Sequence, residues 1–334
     1  MRSVKDVVDD AAHRTGFSGA VRVDRAGVTE LSAAYGLADR GHGIPNTVET
    51  RFATASGTKT LTALTVVALV ERRTLGLGTT ARSWLGDDLP LIADDVTVEH
   101  LLAHRSGIGD YVDEEAATDV TDYVMTVPVH ELATTEQYLP VLEGHETVSP
   151  AGERFAYNNG GYVVLALLAE RASGVAFHDL VRTLVCEPAG MPDTAFLRSD
   201  ELPGRAALGY LAVEGLRTNV LHLPVRGSGD GGAYSTVADL SRFWDALYAG
   251  RVVPPQRLAE MTSPHSDWPE EQRRYGLGFH LHTTTDTVWL EGYDAGVSFA
   301  SVHRPSSAVT YTVVSNWTDG AWPMVRAVSE ALDG

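Results

Sequence analysis

Residues 57–72 constrain most tightly what this chain can fold into. Leu61, Ala63, Leu64, Val66, Val67, Leu69 and Val70 make the stretch apolar nearly all round. A helix with no polar face has no side to offer to water, so other elements must surround it. The stretch ends at "RRTLGLG" and begins in "FATASGTKTL", residues 52–61. The chain has 26 basic residues, yet its only lysines are Lys5 and Lys59. One of the two therefore stands at the entrance of the most apolar helix, three residues after Ser56.

Other segments arrange themselves around that helix. Residues 17–38 alternate loosely about "DRAG" and read as an antiparallel hairpin. "VTVEHLLAH" reads as a short helix with Thr97 as N-cap, stopping at "RSG". Residues 113–148, with "DEEAATD" and "TTEQ", read as surface helices and loops. "SPAGERFAYNNGG" is a turn and loop feeding a helix, "YVVLALLAERASG", that ends on glycine. "GDGGAYSTVADLSRFWDAL" is a Gly-rich turn and then a helix from about Thr236. After "YGLGF" the chain turns β-rich in "FHLHTTTDTVWLEG", "VSFASVHR" and "AVTYTVVSN", and "AWPMVRAVSEAL" is a last amphipathic helix. Strands at both ends and helices between predict an α+β fold, with one antiparallel sheet flanked by helices and an inserted, mainly helical lobe. The expected division is residues 1–75 with 230–334 for the sheet-containing lobe and 76–229 for the helical lobe, with the active site between them.

Composition excludes some partners. With 26 basic against 44 acidic residues the formal charge is −18. Nucleic acid and anionic membrane surfaces select for basic patches, so neither is an expected partner. Cys186 is the only cysteine, which rules out an internal disulfide; in "LVCEPAG" it reads as a small buried hydrophobe. "MRSVKDVVDDAAH" carries acids where a signal peptide needs an apolar core, and no 18-residue run is apolar and uncharged. The expected location is cytoplasmic, without a membrane span.

Chemistry enters with Ser56 and Lys59. At helical spacing, residues i and i+3 have Cβ atoms about 5–6 Å apart, so the two side chains can touch. A serine hydroxyl attacks only when a base takes its proton. A lysine is such a base when neutral. Moving a lysine from about 10.4 to about 7 costs roughly 4–5 kcal/mol, and burial shifts lysines by about 3–5 units. The plain alternative, a surface lysine beside a capping serine, needs a polar helix face that residues 61–70 lack. Ser-x-x-Lys is a pattern of β-lactamases and penicillin-binding proteins.

"FAYNNGG" supplies Tyr157 and Asn159 just before an apolar helix. A tyrosine beside a lysine ammonium can relay a proton, and an amide two residues on can hold that lysine and a substrate carbonyl. The alternative is a simple helix-entry turn. "WLEGYDAGVSF" offers a glycine on an exposed strand edge, where backbone N–H groups can serve as an oxyanion hole.

On these residues the chain resembles the serine β-lactamase and DD-peptidase superfamily, in its class C β-lactamase and family VIII esterase branch. The matching stretches include "FATASGTKTLTA", "VTVEHLLAHRSGI", "SPAGERFAYNNGGYVVLALLAE", "EPAGMPDTAF", "GDGGAYSTVADLSRF" and "YGLGF", in order along nearly the whole length. The resemblance implies Ser56 as nucleophile, Lys59 as its partner base and Tyr157 as the acid/base that protonates the leaving group. It implies Asn159 as support for Lys59 and the substrate. The N–H groups of Ser56 and Tyr293 would form the oxyanion hole, with Gly292 giving room. His104 would be a scaffold residue. One departure stands out: relatives carry Lys-Thr-Gly or His-x-Gly where this chain has Leu290-Glu291-Gly292. No cation is then expected for the carboxylate that β-lactams and peptidoglycan stems carry.

Remaining features are assigned plainly. His100 and His104 lie four apart without an intervening ligand pattern, so no metal is expected. "GSGDGG", residues 227–232, lacks the lysine of a phosphate loop and reads as a turn. Trp289 and Tyr293 either line an acyl pocket or fill the sheet face, and Asp294 caps the turn. The expected activity is a serine hydrolase that forms an acyl-enzyme at Ser56 on small carboxylic esters or amides, with no cofactor. A D-amino-acid amidase or peptidase, a transacylase or a β-lactamase are the enzyme alternatives. A penicillin-binding-like sensor that acylates without turnover is the alternative outside catalysis. Sequence gives no oligomeric state.

Overall fold

The computed structural model describes residues 3–112 and 119–333. Most of "DEEAATD", from 113 to 118, lies outside the described residues. Helix α1 (Val4–Thr15), which the sequence pattern did not announce, opens the chain behind a capping box of Ser3 and Asp6. The expected hairpin follows as β1 (Gly19–Arg25) and β2 (Val28–Tyr35). Its two linking residues, Ala26 and Gly27, both have positive φ, 51° and 77°, as a two-residue hairpin turn requires.

The apolar segments become α2 (Thr58–Glu71) and α3 (Asn159–Ser173). Every residue from Thr58 to Leu69 and from Asn159 to Ala169 is buried, as helices without a polar face demand. Asn158 caps α3 by accepting from Gly161 N at 2.6 Å, and Gly174 ends it in the left-handed conformation. Thr236 caps α4 (Val237–Tyr248), and Thr97 caps the short helix Val98–Leu102.

The C-terminal part supplies β3 (Ser266–Trp268), β4 (Arg273–Tyr275), β5 (His280–His282), β6 (Val288–Asp294), β7 (Val297–Arg304) and β8 (Val309–Ser315), then α5 (Ala321–Asp333). The strands form one sheet in the order β2-β1-β8-β7-β6-β5-β4-β3. Every pairing is antiparallel. The N-terminal hairpin joins the C-terminal strands through Gly19↔Ser315 to Arg25↔Val309. Helices α1 and α5 cover one face, packing Val8, Ala11, Met324 and Val328 on Val21, Val23 and Val313. The other face packs Phe299 and Val314 under α2, α3 and α4, with Leu64, Leu165 and Trp244 in the same core. The protein therefore has the α+β, antiparallel-sheet architecture expected. Among the described residues no single helix is long and apolar enough to cross a membrane.

One pairing detail positions the site. β5 pairs with β6 only at Val288 and Trp289. Beyond them, Leu290 to Asp294 pair with β7 alone, and at Gly292 the unpaired edge of β6 runs against residues 54–56.

Candidate active site

Ser56 lies on a single 3-10 turn, Ala55–Gly57, between the two-residue strand Phe52–Ala53 and α2. Thr54 anchors that turn, its N and Oγ1 both donating to Ala233 O at 2.8 and 3.0 Å. Ala55 holds φ at 43°, a left-handed conformation that costs a residue with a Cβ about 1 kcal/mol or more. The chain accepts this strain in the residue that immediately precedes Ser56.

Lys59, on the first turn of α2, is 2% exposed. Its Nζ lies 3.0 Å from Ser56 Oγ, 2.7 Å from Asn159 Oδ1 and 2.9 Å from Asp230 O. Asn159 Oδ1 and Asp230 O accept from the amine, and Ser56 Oγ completes its set of three oxygen contacts. The Tyr157 ring lies on another side, its centroid 4.9 Å from Nζ.

Tyr157 and Asn159 flank the start of α3. His104 packs its ring 4.4 Å from the Tyr157 ring, and Trp268 of β3 stacks on Tyr157 at 5.7 Å and 20°. His104 is buried and its Nδ1 accepts from Asn158 N at 3.0 Å, which assigns the ring proton to Nε2. Burial first, then Lys59 and His280, push its pKa well below the usual histidine range. A neutral imidazole that fixes the turn before α3 fits the scaffold role.

Three residues without a signal in the sequence, Asp110, Tyr111 and Asp230, complete the site. Asp110 accepts from Asn159 N at 2.6 Å, Gly160 N at 2.8 Å and Tyr111 N at 2.8 Å. It thereby caps α3 and locks Asn159, whose Nδ2 lies 3.4 Å away. Asp230 holds Lys59 by its carbonyl, and its carboxylate accepts from Tyr111 Oη. Burial raises the pKa of both acids, although Lys59 pulls each down. "GSGDGG" is thus a turn that also holds the lysine. Neither Asp110 nor Asp230 has a periodic signal, because both lie in irregular Gly-rich segments.

β6 closes the site. A Cβ on Gly292 would lie 2.1 Å from Thr54 O, 2.9 Å from Ser56 N and 3.0 Å from the Ala55 Cβ. Only glycine lets the strand edge run this close to the nucleophile turn. Tyr293 lines the cleft at 44% exposure and donates to Asp319 Oδ1 at 3.1 Å. Leu290 does not belong to the cleft and corrects the expectation of a substrate contact there. It is 2% exposed and lies in the hydrophobic core, because strand alternation turns it away from the face that Glu291 and Tyr293 share. Glu291 does line the cleft, held by Arg273 Nη1 at 2.5 Å and Trp289 Nε1 at 3.0 Å. Trp289 fills the sheet face, packed against the core that α1 and α5 cover. Asp294 accepts from Ala295 N at 2.8 Å, as a turn cap, and also lines the cleft.

Together these walls enclose a cleft of about 620 Å³ with Ser56, Tyr157 and Asn159 in its lining. Cys186 lies elsewhere, buried, its thiol pushed up to about 12 by burial. His100 only caps its helix, Nδ1 accepting from Thr97 N at 3.3 Å. Among the described residues no cluster of three metal-ligating side chains occurs.

Such a fold, with a serine, a buried lysine and a tyrosine brought together beside an open strand edge, belongs to the acyl-transferring serine hydrolases. The chain is a member of the beta-lactamase family, whose model matches residues 4–332. It is 31% identical to esterase EstB of Burkholderia gladioli over 287 residues, 76% of this chain and 71% of that one. It is 28% identical to penicillin-binding protein 4* of Bacillus subtilis over 295 residues, 84% of this chain. The match spans 63% of that relative's length. The structure of a penicillin-binding protein from Bacillus halodurans superposes with a TM-score of 0.90 at 33% identity, covering 97% of this chain and 99% of that one.

Proposed function

We propose that this chain hydrolyses small carboxylic esters or amides through an acyl-enzyme at Ser56. The observation that carries the reading is the set of three contacts at Lys59 Nζ, in which Asn159 and Asp230 hold the amine 3.0 Å from Ser56 Oγ. In the acylation step Ser56 Oγ attacks the substrate carbonyl carbon and its proton passes to the Lys59–Tyr157 pair. The developing oxyanion sits between the N–H groups of Ser56 and Tyr293, which Gly292 allows to face one point. The C–O or C–N bond then breaks as Tyr157 gives the leaving group a proton. Water, deprotonated by the same pair, attacks the ester at Ser56 and returns the hydroxyl.

Ester or amide substrates without a carboxylate are favoured over β-lactams by the cleft wall. The lining contains no lysine or arginine among the described residues, and Glu291 stands beside the position where relatives carry a cation. The esterase among the relatives agrees with that preference. The test is a panel of p-nitrophenyl esters, amino-acid amides and a chromogenic cephalosporin, with Ser56→Ala beside the parent chain. The reading predicts repeated ester turnover that disappears in Ser56→Ala, and slow or no cephalosporin cleavage. A single burst with no turnover beyond one equivalent would support the acylating sensor instead.

A further inference from the structure

The cleft does not end at Glu291. Glu291 and Trp322 line both the cleft that holds Ser56 and a second cavity of about 550 Å³. Strand pairing sets the floor of this chamber. Trp289 pairs with Val302, Val302 with Tyr311, and Glu291 with Ala300. Cross-strand partners share a face, so these side chains stand together on the side of the sheet that α5 covers. Ala300, Val302 and Tyr311 are buried, and Trp322 and Val325 of α5 roof the space over them.

The charged residues that line the chamber, Asp286, Glu291, Arg304 and Asp333, already have partners. Arg304 donates to Asp333 and, at 3.0 Å, to Ser329 Oγ. Asp286 accepts from Ser306 N at 2.7 Å and Ser306 Oγ at 3.1 Å. Glu291, at the entrance, accepts from Arg273 and Trp289. A guest therefore meets satisfied polar groups at the rim and bare apolar surface on the floor, which favours an uncharged hydrocarbon. The wall of the cleft shows which half of the substrate arrives there. Tyr157 protonates the leaving group, and Trp268 stacks on Tyr157 at 5.7 Å. The Arg273 guanidinium lies 5.3 Å from the Trp268 ring and holds Glu291 at 2.5 Å. The wall that begins at the leaving-group acid thus ends at the entrance of the chamber.

We propose that this chamber receives the alcohol half of an ester substrate, as an unbranched, uncharged alkyl chain that passes Glu291 and lies between Val302 and Val325. From Gly292 to Trp289 is three strand residues, about 10 Å. An extended chain covers about 3.3–3.6 Å per three bonds, so roughly eight or nine bonds bridge that span. Acylation forms the bond from Ser56 Oγ to the acyl carbon and breaks the bond from that carbon to the alkoxy oxygen. The alkoxy oxygen takes the proton of Tyr157 and leaves the chamber as the free alcohol. The inference rests on the hydrolase reading and specifies the alcohol class for the same site.

Two ester series test it by pH-stat, each member kept below its solubility limit. One is the acetates of ethanol, butanol, hexanol and octanol, and the other is the ethyl esters of butanoic, hexanoic and octanoic acids. Each rate is divided by that ester's rate with hydroxide, which removes intrinsic reactivity. Full burial of a methylene gives about fourfold, and even half of that free energy raises octyl over ethyl acetate in kcat/KM by about 50-fold. The ethyl ester series should gain less over the same number of carbons. Val325→Trp and Ala300→Leu narrow the chamber from roof and floor, and each should lower the octyl-to-ethyl acetate ratio at least about tenfold. Taking the ratio within one variant cancels any loss of folded enzyme. A flat acetate series, an equal or larger gain in the ethyl ester series, or a ratio that both variants leave in place overturns the proposal. Turnover of ethyl acetate with a flat acetate series refutes this inference alone, whereas no turnover of any ester sinks the hydrolase reading with it.

Discussion

Replacing Gly292 with alanine should disable the site while leaving every proposed catalytic side chain in place. The added Cβ would lie 2.1 Å from Thr54 O and 2.9 Å from Ser56 N. Both are backbone atoms, and Thr54 is pinned by two bonds to Ala233 O, so neither can rotate away as a side-chain tip would. Opening the tighter contact even to 3.0 Å moves β6 or the Ser56 turn by about 0.9 Å. A shift near 1 Å at reacting groups costs on the order of 100-fold in rate, and losing one oxyanion donor costs about 100- to 1,000-fold. We therefore expect kcat for a p-nitrophenyl ester to fall at least about 100-fold in Gly292→Ala, with KM changing less. Thermal unfolding should still be cooperative, because the clash is local to one strand edge. A kcat within threefold of the parent would show that the edge of β6 does not help form the oxyanion site.

Lys59→Met should reduce ester kcat about 1,000-fold, the scale of a lost general base with its positioning, and residual activity above one tenth would remove Lys59 from the mechanism. Asp110→Asn turns an amide N–H₂ toward one of the backbone donors that the carboxylate now accepts from. It should lower stability by about 1–3 kcal/mol in urea unfolding and also lower kcat, and an unchanged midpoint would contradict the cap. His280 has a folded pKa of about 4 against about 6.5 unfolded, so the unfolded chain binds more protons between those values. Stability from this residue is full above about pH 6.5 and is lost as pH falls toward 4, by up to about 3 kcal/mol. In His280→Phe the slope of unfolding free energy against pH over that window should flatten, and an identical slope would refute the assignment.

What could be read in the sequence follows from where the signal lay. Ser56, Lys59, Tyr157 and Asn159 sit at the entrances of α2 and α3, and those helices announce themselves by having no polar face. The long strands β6, β7 and β8 carry enough β-branched and aromatic residues to be read. β3 and β4 have three residues each, too few to show an alternation, so Trp268 and Arg273 went unplaced. Asp110 and Asp230 escaped because a buried carboxylate in a Gly-rich loop looks like a solvated one until the fold brings the two distant loops into one wall. Aligning glycines put Leu290 at the cation's position, yet the pleat of β6 makes that residue core and Glu291 the one that meets the cleft.

The central claim is that Ser56 becomes covalently acylated, and intact-mass measurement after a fluorophosphonate or activated-ester probe tests it most directly. The account predicts one added equivalent on the parent chain, mapped to the peptide containing Ser56, and none on Ser56→Ala. Labelling of Ser56→Ala to the same extent, or an adduct on another peptide, would contradict it.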